Sequence, residues 1–285
     1  MNKGLLYAVL AAVFGGLVPV LSKYGLEVFP TFALNTIRFL SASLLLLPFV
    51  TQNMRVFTNK RVLLTSFVAA INPILFIIAL NLTTASVIPL IYASVPLMVA
   101  LYGRYRGETL SSRKWIGVFI GFSGVALTVL LPLFSNSSSA NTGSFLGNIL
   151  IFLAAIAFFI YAQLSKSLQD KEGISPMELT FGFAAMTCII TLPLGIYDFA
   201  YNTVFSEVTP LYMIAALAIG VVGTSIFYLV YQKAIKVGTT LSATLFIFLQ
   251  PLATAALAFI ILGEVITLPL IIGGALAIIG AKIAS

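Results

Sequence analysis

The 285-residue chain contains no histidine, one cysteine and few charges, with Asp, Glu, Lys and Arg together making up 8% of it. Without histidine the commonest acid–base group and metal ligand is missing, so neither metal chemistry nor histidine-based catalysis is expected. Cys188 has no second cysteine to pair with, which excludes an intrachain disulfide. No paired nucleophile and base, nor acid–base pair, can be picked out, and the reading is a non-enzyme without a cofactor. So small a set of charges cannot clothe the surface of a water-soluble domain this long.

What fills the chain instead is hydrocarbon. Hydrophobic residues make up 60% of it and the mean hydropathy is +1.12. Apolar runs close to the ~20 residues that cross a bilayer follow one another from end to end. Ten spans are drawn over 4–22, 31–50, 62–80, 84–103, 114–132, 146–165, 177–197, 210–232, 239–262 and 267–283. They lack the alternation of barrel strands, and each must satisfy its own backbone in lipid, so all are read as helices. The expected fold class is an all-α membrane protein. Met1-Asn2-Lys3 and the apolar run after it resemble a signal peptide, but the run continues through Gly15 and Gly16, and it is read as a retained first span.

The basic residues orient the bundle. Thirteen of the 15 lysines and arginines fall at the ends of the spans that share one side, among them Lys3, Arg61, Arg104, Lys171, Lys236 and Lys282. The positive-inside rule places that side, and both termini, in the cytoplasm. The expectation is an integral protein of a bacterial or archaeal cytoplasmic membrane. The net charge of +7 follows from this bias and from anionic lipid, so no nucleic-acid partner is inferred.

The two halves repeat. Gly4, Leu10-Ala11-Ala12 and Leu21-Ser22-Lys23 recur 143 positions later as Gly147, Leu153-Ala154-Ala155 and Leu164-Ser165-Lys166. Glu108, Gly117 and Gly124 recur 156 positions on as Glu264, Gly273 and Gly280, and Pro96 and Pro251 are 155 apart. Each half carries five spans, an odd number, so the second must enter the membrane inverted, an architecture common among secondary transporters. The expected organisation is a five-helix repeat over 1–134, a polar external linker over 135–144 and a second five-helix repeat over 145–285.

Pro96, Gly107-Glu108 and Gly117, matched by Pro251, Gly263-Glu264 and Gly273, carry a further likeness. A proline, an apolar helix, a Gly-Glu pair, a Ser/Thr-bearing turn and a glycine-rich helix in each half resemble the EamA-like members of the drug/metabolite transporter superfamily. The resemblance covers essentially the whole chain. It implies a ten-helix carrier with a central cavity lined mainly by spans 1–4 and 6–9, spans 5 and 10 standing as peripheral supports. It implies no particular substrate.

Arg38 stands in an otherwise apolar stretch, roughly 12 Å along the helix from the start of span 2. Two readings stay open: it ties span 2 to its neighbours, or it meets a carboxylate or other anionic group of a substrate. Asn35 lies one turn away on roughly the same face. Asn72, Tyr92, Tyr161, Gln163, Tyr228 and Gln250 complete the candidate substrate-binding set, polar groups near midplane, several beside helix-breaking prolines. Thr224, Ser225 and Ser94 share that depth. With many Phe and Tyr around them, these uncharged groups suit a small, partly apolar or zwitterionic metabolite such as an amino acid. A carrier of nucleotide-like or strongly anionic solutes is the rival, which would require more than one cavity cation; a non-transporting membrane scaffold is the bland one.

Glu178 is the one carboxylate inside a predicted span, and Ser175-Pro176-Met177-Glu178 reads as a capping box that uses it. Proton coupling through a buried acid is therefore not expected. Gly117-x-x-x-Gly121 and Gly273-x-x-x-Ala277 are small faces for helix packing within the chain or across a homodimer, and the protein is read as monomer or homodimer. Gly15, Gly16 and Pro19 are expected to weaken span 1 as a hinge.

Overall fold

The computed structural model describes residues 3–50, 58–83, 87–134, 144–262 and 268–284, and among them there is no strand. Helices α1 (Lys3–Gly25), α2 (Thr31–Leu46), α3 (Lys60–Leu80), α4 (Val87–Tyr92), α5 (Ser94–Tyr105) and α6 (Ser112–Phe134) form the first half. After residue 144 come α7 (Phe145–Lys171), α8 (Pro176–Tyr201), α9 (Pro210–Gly220), α10 (Phe227–Val237), α11 (Thr240–Thr244), α12 (Gln250–Leu262) and α13 (Leu268–Ala284). A π-helical turn, Val221–Ile226, joins α9 to α10, and a 3-10 turn, Leu245–Phe248, follows α11. Six stretches among the described residues are long and apolar enough to cross a membrane: Thr31–Phe49, Lys60–Leu80, Phe145–Lys171, Pro176–Tyr201, Pro210–Val237 and Thr240–Ile261. The outer surface carries Leu44, Phe49, Phe67, Leu211, Ile214 and Ile260, all exposed, as lipid-facing helices require.

Local signals set the helix starts. Asn59 accepts from the backbone N–H groups of Arg61 and Val62 at the head of α3, and Ser144 accepts from Gly147 at the head of α7. At α8 the expected capping box forms: Ser175 N donates to Glu178 Oε2 at 2.8 Å and Glu178 N to Ser175 Oγ at 3.2 Å.

Prolines interrupt two spans that read as continuous in the sequence. The ring of Pro96 collides with the carbonyl four residues back, at Tyr92, where α4 ends; Pro251 does the same to Ile247, inside the 3-10 turn before α12. Span 1 differs in the other direction. α1 runs unbroken through Gly15, Gly16 and Pro19, because the Gly15 carbonyl that Pro19 leaves without its helical donor receives Gln250 Nε2 at 3.0 Å. Both glycines are positions of close approach: a Cβ on Gly15 would press on Phe227 and Gln250, and one on Gly16 would lie 2.8 Å from Ala253.

Helices pack in antiparallel pairs. α3 and α7 are pinned at one end by Asn59 and Arg61 on Glu172, and at the other by Thr83 Oγ1 donating to Asn148 Oδ1 at 2.6 Å. α2 and α8 are pinned by Phe32 N donating to Asp198 Oδ2 at 2.9 Å and by Thr36 Oγ1 donating to Thr191 O at 3.3 Å, while Leu46 and Val50 meet Ile174 and Leu179 at the far end. α6 lies along α13 with Gly117 against Ala284 and Gly121 against Gly280, so this glycine face is consumed inside the chain. α1 packs on α9, α10 and α12 much as α7 packs on α3, α4 and α5. Glu264, Gly263 and the linker 135–143 lie outside the described residues.

Candidate functional site

Between these helices lies a cavity of about 570 Å³, open space at its mouth included. Residues of α1, α2, α3, α4, α7, α10, the 3-10 turn and α12 line it, so both halves contribute walls. Of the eight predicted residues, Arg38, Asn72, Tyr92, Tyr228 and Gln250 are brought together here.

Asn72 organises one corner. Its Nδ2 donates to Tyr92 OH and to Ala154 O, the latter at 2.8 Å, and its Oδ1 accepts from Tyr228 OH at 3.4 Å. Asn72 precedes Pro73, whose ring removes a helical bond from α3, and the amide reaches across to the α7 backbone. Arg38 stands beside this corner, buried at 3% exposure, with its guanidinium carbon 4.8 Å from the Phe39 ring centre. Its Nε donates to Thr224 Oγ1 at 2.7 Å, and Thr224 Oγ1 donates in turn to Ile219 O. Thr224 sits in the π-helical turn, whose extra residue re-aims the hydroxyl toward α2; Ser225 bonds Gly220 O and Ala42 O from the same turn. Arg38 Nη1 is buried without a partner, and neither Arg61–Glu172 nor Lys166–Asp170, the ion pairs among the described residues, involves it.

Aromatic rings complete the lining and abut the corner, Phe158 against Tyr92 and Tyr228, and Phe227 against Tyr228. Phe158, Phe227 and Phe246 face the cavity with Phe76, and Phe227 meets Phe246 edge-on at 5.5 Å. Gln250 also lines the cavity, its Nε2 donating to Gly15 O.

Three predicted residues stand outside the lining. Tyr161 is fully buried beneath it, tilted against Phe183 at 5.7 Å and donating to Leu179 O at 3.4 Å. Gln163 is half-buried further round α7. Asn35 is wholly buried on α2 with both amide atoms unpartnered.

Sequence reasoning passed over a polar seam on the side where α7 and α10 end. Gln169 Nε2 donates to Gln232 Oε1 at 2.7 Å, Gln232 Nε2 to Ser165 Oγ at 3.0 Å, and Lys166 Nζ to Ile235 O at 3.2 Å. α7 extends six residues past the predicted end of span 6, which put Gln169 in a loop that does not exist. Phenylalanines and tyrosines around the cavity are expected from the sequence, but which phenylalanines line it carries no distinguishing signal in an apolar run.

A family model, the EamA-like transporter family, matches residues 2–130 and again residues 145–285. The chain is a member of that family. As an EamA-like protein it resembles an uncharacterized transporter of Archaeoglobus fulgidus, 29% identical over 90% of this chain and 89% of the relative. It is also similar to an S-adenosylmethionine uptake transporter of Rickettsia bellii, 25% identical over 92% of this chain and 86% of that one. A solved crystal structure of a protein, 17% identical, superposes with a TM-score of 0.74 over all of this chain and 97% of its own, a likeness of fold alone.

Proposed function

We propose that this EamA-like protein is a secondary-type carrier of a small, partly apolar or zwitterionic metabolite, working by alternating access around the cavity. The observation that carries the reading is the cavity itself: a deeply buried arginine with no acidic partner among the described residues and an Asn–Tyr–Tyr corner set among aromatic rings, at the meeting of the two halves. Pockets of this kind, apolar with a few placed polar groups, are ligand sites, and repeat-built carriers hold theirs near midplane.

The proposal includes ten spans in two inverted repeats, 1–134 and 145–285, joined by an external linker at 135–144, with both termini cytoplasmic. The twofold family match and the antiparallel pairing of α2 with α8 and of α6 with α13 support it. Among candidate solutes, S-adenosylmethionine enters through the name of the Rickettsia relative; it combines a carboxylate, a cation and a flat base, which suit arginine and aromatic faces. Amino acids remain equal candidates. The binding set is Arg38, Asn72, Tyr92, Tyr228 and Gln250, with Asn35, Tyr161 and Gln163 retained as supporting positions.

Uptake into proteoliposomes tests it, with amino acids, nucleosides, sugars, polyamines and S-adenosylmethionine as the panel. Accumulation of at least one solute is expected, reduced at least about tenfold by Asn72→Ala or Tyr228→Ala, since each leaves a buried polar partner unsatisfied. Uptake unchanged by both substitutions would remove the cavity from the pathway.

A further inference from the structure

We propose that the free edge of the Arg38 guanidinium, together with the Tyr92 hydroxyl, is the seat of a substrate carboxylate, so that the carrier selects monocarboxylate solutes. This rests on the cavity being the binding site, as proposed above. The donors and acceptors of the corner divide into spent and free. Asn72 has spent its donors: its two amide hydrogens go to Tyr92 OH and Ala154 O, and its oxygen accepts from Tyr228. Tyr228 has spent its proton on Asn72, and Thr224 has spent its own on Ile219 O. Tyr92 accepts through its oxygen, which leaves its proton without an acceptor among the described residues. Arg38 uses Nε on Thr224 and keeps Nη1 unpartnered.

The corner therefore offers an N–H, an O–H and one positive charge, beside the remaining lone pairs of Tyr228 OH and Asn72 Oδ1. An ammonium would meet the buried positive charge of Arg38 and leave its free N–H and the Tyr92 proton unserved. A carboxylate matches in charge and in lone pairs, and desolvation by the surrounding rings strengthens the pairing. A doubly charged phosphate would bring a surplus negative charge into an apolar cavity that holds no second cation, Lys23 being exposed outside the lining. Gln250 also lines the cavity; its amide nitrogen donates to Gly15 O, and its Oε1 adds an acceptor to the lining. A solute's N–H or cationic end is thus directed toward Gln250 and the faces of Phe158, Phe227 and Phe246, with its carboxylate on α2.

Matched pairs of solutes test this. Phenylalanine, methionine and S-adenosylmethionine are each compared with their decarboxylated amines, by thermal stabilisation and direct binding to the detergent-purified protein. At least one acid should bind, about tenfold or more tighter than its amine, the scale of a charge-assisted hydrogen bond. Arg38→Gln should erase that preference, and Tyr92→Phe should weaken the acid several-fold while leaving the amine unchanged. If Arg38→Gln does not fold, the wild-type pairs and Tyr92→Phe decide. No binding by any acid, amines binding as well as acids, or Tyr92→Phe weakening both alike would overturn the seat. Proteoliposome uptake separates this from the broader reading. Uptake of the amines without preference for acids keeps the carrier and removes the seat; acid-selective binding without uptake keeps the seat and removes the carrier.

Discussion

Arg38 need not choose between structure and ligand, because its guanidinium fork is divided: one nitrogen holds the π-helical turn through Thr224, and another is left open. Lysine has no fork, so Arg38→Lys should lose one of these functions even though it keeps the charge. The structural half can be isolated at Thr224→Val, which removes the acceptor for Nε and leaves the cavity lining intact. The expected result is a lower melting temperature in detergent with solute selectivity retained, on the scale of the ~1–3 kcal/mol that an unsatisfied buried group costs. Unchanged stability would mean that the Arg38–Thr224 bond holds nothing in place. Arg38, Asn72, Tyr92, Tyr228 and Gln250 were legible because polar side chains are conspicuous in an apolar run. Thr224's role was not, because a π-helical turn has no proline to announce it, and its aim depends on a backbone register invisible in composition.

At the scale of helices, pattern and proline carried most of the information. The Ser175–Glu178 box was readable letter by letter, and so was the glycine face of α6, although only the structure gives its partner, α13. The breaks at Tyr92 and Ile247 follow from prolines already in view, whereas α1 passes through Pro19 because Gln250, 231 positions away, supplies the missing donor. That compensation is long-range, and no local reading of Gly15, Gly16 and Pro19 can reveal it. The α6–α13 seam leaves no room for a side chain: a Cβ on Gly280 would collide with the Gly121 backbone. Gly280→Leu should therefore lower thermal stability markedly, the ~1–3 kcal/mol of overpacking being a floor where backbone meets backbone, and a normal melting curve would show that the pair can separate freely. The α3–α7 end carries a titratable joint. Hydrogen bonds from Asn59 and then Arg61 hold the Glu172 carboxyl below its ordinary value. A carboxylate with a lowered folded pKa contributes stability above its unfolded value near ~4.3 and loses it as the pH falls through the folded one. Glu172→Gln should flatten that acid limb by lowering the melting temperature at neutral pH and not at low pH, and by little, as expected for an exposed pair.

For the whole molecule, the seam of Gln169, Gln232 and Ser165 and the cavity occupy opposite ends of the same helices. The cavity reaches Pro19, Phe76, Ile88 and Pro89, toward the side where α3 ends and α4 begins. The seam closes the side where α7 and α10 end, backed by Tyr161, Phe183 and Tyr231, and there the Tyr231 hydroxyl and Gln169 Oε1 are buried without partners. Groups left unsatisfied in a closed seam lower the cost of opening it, because water would serve them. In the proposed alternating-access cycle this seam parts while the opposite end shuts. With Cys188 replaced by alanine, the chain has no native cysteine, so the pair Gln169→Cys and Gln232→Cys can be bridged by a short bifunctional thiol reagent. Bridging should abolish proteoliposome uptake yet leave binding to the detergent-purified protein within about threefold, and a reductant-cleavable bridge should restore uptake when cut. Single cysteines at Lys171 and Val204 in the same background should label from opposite faces of intact cells, Val204 from outside. Uptake that persists with the seam bridged would mean that this end does not open during transport.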